Sequence, residues 1–232
     1  MKIESPTFTL TVPKYGKFIY TGQTVKVRRL LLTQTASNPD LSMVVENCVK
    51  ACLVSGQNEN AIGLPYFITQ LLYLSIISKT TGEYLALKFT CKNEVTKTEL
   101  CNEEFISTIE LDKLKLTSAP ELMPVAKINN TYGIILKYLS FSEMMQFKVA
   151  DELNRLELLK SVIIGYIKDD EKVDLDECEV IDFCDNLPVA HANVILSTIK
   201  TWPEIKYTIV DKCPKCGFNH NYDIIGFERF FN

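Results

Sequence analysis

The chain has 232 residues, 47% of them hydrophobic, which suits one substantial domain or two small ones with a sizeable core. A formal charge of −4 and the lack of any long Lys/Arg block argue against a protein whose main business is gripping nucleic acid or an anionic membrane, and point to a protein partner. The opening residues Met1 to Pro6 hold no apolar signal core, and the most apolar window, Leu64 to Ile77, is broken by Thr69, Gln70 and Ser75 short of a bilayer span. A cytosolic chain with no membrane segment is therefore expected.

In chain order, Thr7 to Val12 alternates polar and apolar residues strictly, and Thr24 to Val27 is also β-rich, so residues 1–35 predict an N-terminal β segment, a hairpin or meander around Gly16 and Gly22. Asn38-Pro39-Asp40 then opens a helix in which Leu41, Val44, Val45, Cys48, Cys52 and Leu53 recur at helical spacing until Ser55-Gly56. With a second helix from Pro65 to Ser78, residues 36–80 read as a helical pair. Strands from Tyr84 to Thr90 and from Phe105 to Leu111 flank a polar loop bounded by Cys91 and Cys101.

Ile128 to Tyr138 predicts a hairpin across Asn129-Asn130, and Ser142-Glu143 opens a long helix running to about Ile167. Two shorter helices divided near Leu187-Pro188 complete a helical region over 140–203. A last strand, Ile205 to Val210, leads into Cys213-Pro214-Lys215-Cys216-Gly217, and Phe227 to Phe231 closes the chain as a short aromatic helix or tail. The expected fold is a single compact α+β unit over 1–232, with β-hairpins packed against a helical bundle. A zinc-ribbon-like four-cysteine module is built from hairpins over 83–112 and 205–225.

Eight cysteines in a cytosolic chain of this length point to metal ligation or burial before disulfides. Zinc is held by thiolates in a tetrahedron, and a cysteine pair at a hairpin tip supplies two corners, with a following glycine permitting the tight turn. Cys213-Pro214-Lys215-Cys216-Gly217 has this knuckle form. An echo of it lies upstream: Lys88-Phe89-Thr90-Cys91, Cys101 and Ile106 to Ile109 follow the order of Lys206-Tyr207-Thr208, Cys213, Cys216 and Tyr222 to Ile225.

Although nine residues separate Cys91 from Cys101, a long insertion at a hairpin tip does not keep the sulfurs apart, so joint ligation of a structural Zn2+ by Cys91, Cys101, Cys213 and Cys216 is expected. His220, four residues past Cys216, is the alternative ligand, against a reading as a solvent-facing turn residue. A redox dithiol at Cys213/Cys216 would need a helix N-terminus to lower the first thiol's pKa, and a glycine and a strand-like run follow instead. Cys48 and Cys52 fit the buried face of a helix, and Cys178 and Cys184 match no metal spacing.

No catalytic residue is expected. With only His191 and His220 there are few possible members for a nucleophile–base arrangement, and the nucleotide-loop, hydrolase-elbow and zinc-protease motifs are all missing. The acidic clusters at 169–171 and 174–177 lack the glycine and ligand register of a calcium loop and read as a solvated face.

The order of these elements resembles a known family. A β segment enters Val27-Arg28-Arg29-Leu30-Leu31-Leu32-Thr33, a helical pair follows, and Cys91 comes after Leu85 to Thr90. Phe183 to Ile199, Trp202-Pro203, Lys206-Tyr207-Thr208 and the cysteine knuckle then precede Phe227-Glu228-Arg229-Phe230-Phe231. This is similar to the baseplate proteins of T-even-type contractile-tailed bacteriophages. The resemblance implies a viral protein without enzymatic activity, acting in tail assembly at the baseplate hub as assembly chaperone or structural component. Its partners would be other tail or hub proteins, and its place the host cytoplasm during assembly or the virion tail. The long Cys91/Cys101 spacing departs from a compact knuckle pair. Phe227, Phe230 and Phe231 are candidates for partner contact, with folding back on the chain's own core as the other reading. The rival function is a zinc-ribbon nucleic-acid adaptor, for which Lys88, Lys92, Lys97, Lys212 and Lys215 lie near the expected metal, diluted by Glu94, Glu99, Glu103 and Glu104.

Overall fold

The structure is a computed structural model describing residues 5–37, 41–56, 63–82, 84–96, 99–147 and 152–230. It opens with an antiparallel hairpin of β1 (Thr7–Val12) and β2 (Gly16–Thr21), in which Phe8 lies opposite Tyr20 and Val12 opposite Gly16. Residues 24–27, expected as a strand, instead begin helix α1 (Val25–Ser37). Thr24 caps it, its Oγ1 accepting from the Val27 N–H at 3.3 Å and its carbonyl from Arg28 N–H at 2.9 Å. The alternation that suggested β structure placed Val25 outside, where it is 87% exposed and drives no strand burial.

Helix α2 (Leu41–Cys52) follows, and Asn38-Pro39-Asp40, the expected opener, lies outside the described residues. The chain then runs directly into β3 (Leu53–Gly56), which adds to β2. Helix α3 (Tyr66–Thr81) is the hub of the core: Phe67, Ile68, Leu72, Leu74 and Ile76 are all within 1% of complete burial, and the helix contacts α2 and the β1–β2 hairpin. Tyr66 to Leu72 are buried on every side, whereas Tyr73, Ser75, Ile77 and Lys79 further along are only half-buried, so the first half of the helix is enclosed and the second half covers one face. Among the described residues no helix is long and apolar enough to cross a membrane.

Strand β4 (Tyr84–Thr90) leads to a small hairpin of β5 (Glu94–Thr96) and β6 (Glu99–Leu100), and returns as β7 (Glu104–Glu110). β4 and β7 pair from Tyr84↔Glu110 to Thr90↔Glu104. After β8 (Lys115–Leu116) come β9 (Val125–Lys127) and β10 (Tyr132–Leu136), the expected second hairpin.

The long helix expected from Ser142 is two, α4 (Phe141–Gln146) and α5 (Glu152–Val162). Ser140 and Glu143 start the first with a reciprocal capping box. The expected continuation becomes strand β11 (Ile163–Lys168), paired with β10 and with β12 (Glu171–Asp174). Its branched and aromatic side chains suit a strand, and at Gly165 a Cβ would collide with the Val173 carbonyl oxygen, so only glycine lets the two strands approach. Asp169 and Asp170, taken from sequence as an acidic helix end, turn this hairpin with φ of 50° and 67°. The region 140–203 therefore carries sheet as well as helix. Helices α6 (Glu177–Asp185) and α7 (Val189–Ile199) divide as expected, α7 starting at Pro188.

Strands β13 (Ile205–Lys212) and β14 (Asn219–Ile225) close the fold as a second ribbon, extended by β8. A final 3-10 turn, Phe227–Phe230, ends the described chain. One cluster of buried side chains runs from Val12 to Phe230. A separate small one holds Cys91, Cys101, Phe105 and Cys213.

Candidate metal centre

The second cluster sits where the tips of the two ribbons meet. In the first ribbon, pairing passes beyond Thr90↔Glu104: Cys91 N–H donates to the Glu103 carbonyl at 2.8 Å and Asn102 N–H to the Cys91 carbonyl at 2.9 Å. In the second, pairing passes beyond Lys212↔Asn219 in the same way. Cys213 N–H donates to the Phe218 carbonyl at 2.9 Å and Gly217 N–H to the Cys213 carbonyl at 3.0 Å. Cys91, Cys101 and Asn102 thus stand where Cys213, Cys216 and Gly217 stand in the other ribbon.

The equivalence extends to the residue after the second cysteine, left-handed in both tips: Asn102 at φ 50° and Gly217 at φ 72°. Asparagine is among the few residues besides glycine that adopt this conformation readily, so two different residues build one turn. The nine residues between Cys91 and Cys101 include the β5–β6 hairpin, which projects from the tip without displacing either sulfur.

The four sulfurs all lie within 4.8 Å of one another, with Cys91 Sγ 3.7 Å from Cys216 Sγ and Cys101 Sγ 3.8 Å from Cys213 Sγ. A tetrahedral zinc with bonds of about 2.3 Å to sulfur separates its ligands by about 3.8 Å, the bond length multiplied by about 1.63. Both of these separations match that edge. The donor set fits one metal ion, closed in by thiols and without an open position.

Backbone N–H groups also face the sulfurs: those of Asn93, Glu103 and Phe218 hydrogen-bond to Cys91, Cys101 and Cys216, each from two residues ahead. The Asn93 side-chain amide approaches Cys216 Sγ at 3.8 Å. Such donors stabilise thiolate charge. Cys216 is pulled down to about 7, first by the Phe218 N–H, whereas burial pushes Cys91 up to about 12 and raises Cys101. Three of the sulfurs are buried and Cys216 is partly exposed. These amide donors escape a reading of the sequence, because only the turn conformation aims them; the Cys101-Asn102 and Cys216-Gly217 steps are the signal that marks the turn.

His220 does not join the cysteines, and it does not face open solvent. It is half-buried, its ring 5.4 Å from Phe105 and 5.0 Å from Phe218, as β14 places it beside β7. Nor does a helix follow Cys213 or Cys216, so the dipole a redox dithiol needs is missing at this site. Cys48 and Cys52 are buried in α2, where the Gln23 side-chain amide donates to Cys48 Sγ at 3.1 Å. Cys184 is buried and Cys178 exposed.

The aromatic tail turns inward. Phe227 packs on Phe141 and Tyr73, at 5.3 and 5.9 Å between ring centroids, and both Phe227 and Phe230 are buried. Their apolar contact is made inside the chain, not on an exposed docking face, because the turn at Gly226, φ 95°, folds the tail back beside β14. Phe231 lies outside the described residues.

Fold and site together define an α+β protein with several small antiparallel sheets and a four-cysteine centre made by two ribbons distant in sequence. The chain belongs to the family described as the T4 bacteriophage base plate protein, whose model matches residues 5–232. That membership gives it a structural role in the phage baseplate, in the virion tail and in company with other tail proteins. Comparisons with curated proteins and with solved structures each gave no match.

Proposed function

We propose that this chain serves assembly of the baseplate hub, as a chaperone of that assembly or as a component built into it, through protein–protein contacts and without enzymatic activity. It acts in the host cytoplasm while the tail is built, and residues 1–232 work as one unit. A structural zinc ion held by Cys91, Cys101, Cys213 and Cys216 fastens the two ribbons.

The observation that carries the metal reading is the convergence of four thiols, from stretches more than a hundred residues apart, at separations of 3.7 and 3.8 Å. Zinc bound by four thiolates keeps no site for water or substrate, so such an ion supplies cross-linking and no chemistry. A nucleic-acid adaptor has weaker support: near the tips, Lys88 pairs with Glu104 and Lys215 with Glu103, which offsets the charge phosphate contact requires.

Tagged chain purified from cells expressing the tail proteins is expected to bring hub proteins with it, and deletion of its gene to leave tails unassembled. Normal tails from the deletion, with no tail protein recovered by the tagged chain, would contradict the hub role.

A further inference from the structure

Among the described residues, two strands of different sheets leave an edge unpaired beside the same groove. β1 is the outer strand of the β1–β2–β3 sheet, and β8 the outer strand of the β14–β13–β8 sheet. Between them lies a groove of about 380 Å³ whose walls include Leu10 and Val12 on one side and Leu114, Leu116 and Pro120 on the other, with Leu71 of α3 also lining it. Near the β1–β2 turn the two walls are tied together, Tyr15 Oη donating to the Glu121 carbonyl at 3.1 Å.

An exposed strand edge offers N–H and C=O groups at every second residue, and proteins usually guard such an edge with charge, proline or a bulge. β1, Thr-Phe-Thr-Leu-Thr-Val, has no charged residue and no proline within it, and prolines stand only at its two ends, Pro6 and Pro13. The volume is too small for a helix, whose diameter with side chains is about 10–12 Å, but suits a few residues of extended chain.

We propose that the groove between β1 and β8 is a docking site for one extended strand of a partner polypeptide, which adds to the β1 edge by main-chain hydrogen bonds. Alternate apolar side chains of that strand enter the space lined by Leu10, Val12, Leu71, Leu114 and Leu116, and the others face solvent. Lys115, the charged side chain of the lining, favours an acidic residue among the outward-facing ones. The site stands on the groove and the strand order, independently of any metal.

The probe is a fluorescently labelled, end-capped hexapeptide of alternating valine and threonine with a central glutamate, added to the full chain. Saturable binding is expected, with slowed amide exchange confined to β1 and β8. Thr11→Lys, which puts a charge on the edge, and Ala119→Phe, which fills the groove, both change exposed residues and leave the melting temperature in place. Each is expected to weaken binding by about tenfold or more. No saturation up to millimolar peptide, equal affinity in both variants, or protection on other strands would overturn the proposal. So would a wild-type dimer that Thr11→Lys dissociates, since the occupant would then be a second copy.

Discussion

The body around α3 and the tips of the two ribbons bury different kinds of side chain. In the body, Phe18, Phe67, Phe141 and Phe230 are wholly buried among a large set of aliphatic neighbours, and removal of that surface from water suffices to hold helices and sheets in place. At the tips the buried set is Cys91, Cys101, Cys213 and Phe105, too little apolar surface to keep two hairpins docked. Four converging sulfurs thus stand at a polar, exposed end that has no room for a core, where a bound metal could cross-link them.

The largest expected effect follows from that contrast. Structural zinc sites contribute about 10–16 kcal/mol in peptides, comparable to the stability of a whole domain. Cys213→Ser is therefore expected to free the tips: amide exchange should accelerate over 91–103 and 213–219 while α3 stays protected. Uniform exchange throughout would show that tips and body melt as one.

Phe67→Ala should do the reverse. Its ring is fully buried, with Tyr66 and Tyr138 edge-on at 5.5 and 5.0 Å, and its removal is expected to cost about 3–5 kcal/mol in chemical denaturation without changing metal content. Tyr66→Phe is a smaller break in the same body. The hydroxyl donates to the Pro203 carbonyl at 2.6 Å in a buried setting, and leaving that carbonyl without a partner should cost about 1–3 kcal/mol. Asn102→Val tests the tip turn: a branched residue at φ 50° is expected to lose about 1–2 kcal/mol, whereas Asn102→Gly should hold stability, matching Gly217.

How far the sequence spoke for the structure differs between the same two regions. The tips were legible because ligand chemistry leaves a signature that survives an insertion: the order strand, cysteine, cysteine, strand occurs twice, and the structure superposes the two hydrogen-bond patterns residue for residue. α3 was legible from its dense apolar window, Leu64 to Ile77, which Thr69, Gln70 and Ser75 interrupt without ending the helix. The β11–β12 hairpin was not, since residues 152–167 carry helical and branched apolar residues in succession, and the switch at Ile163 is decided by pairing with β10 and by the space Gly165 leaves for Val173. Thr24 to Val27 misled for the opposite reason: a local alternation was present, but a cap and the helix behind it prevailed. The inward fold of Phe227 and Phe230 depends on a partner surface from α3 and α4 that no local pattern displays.

The most direct measurement is native mass spectrometry of the full chain purified without added metal, combined with thiol titration. About one zinc per chain is expected, with Cys91, Cys101, Cys213 and Cys216 protected from thiol reagent until a chelator is added. A metal-free mass with those thiols reactive from the start, in a chain whose tips remain docked, would contradict the account.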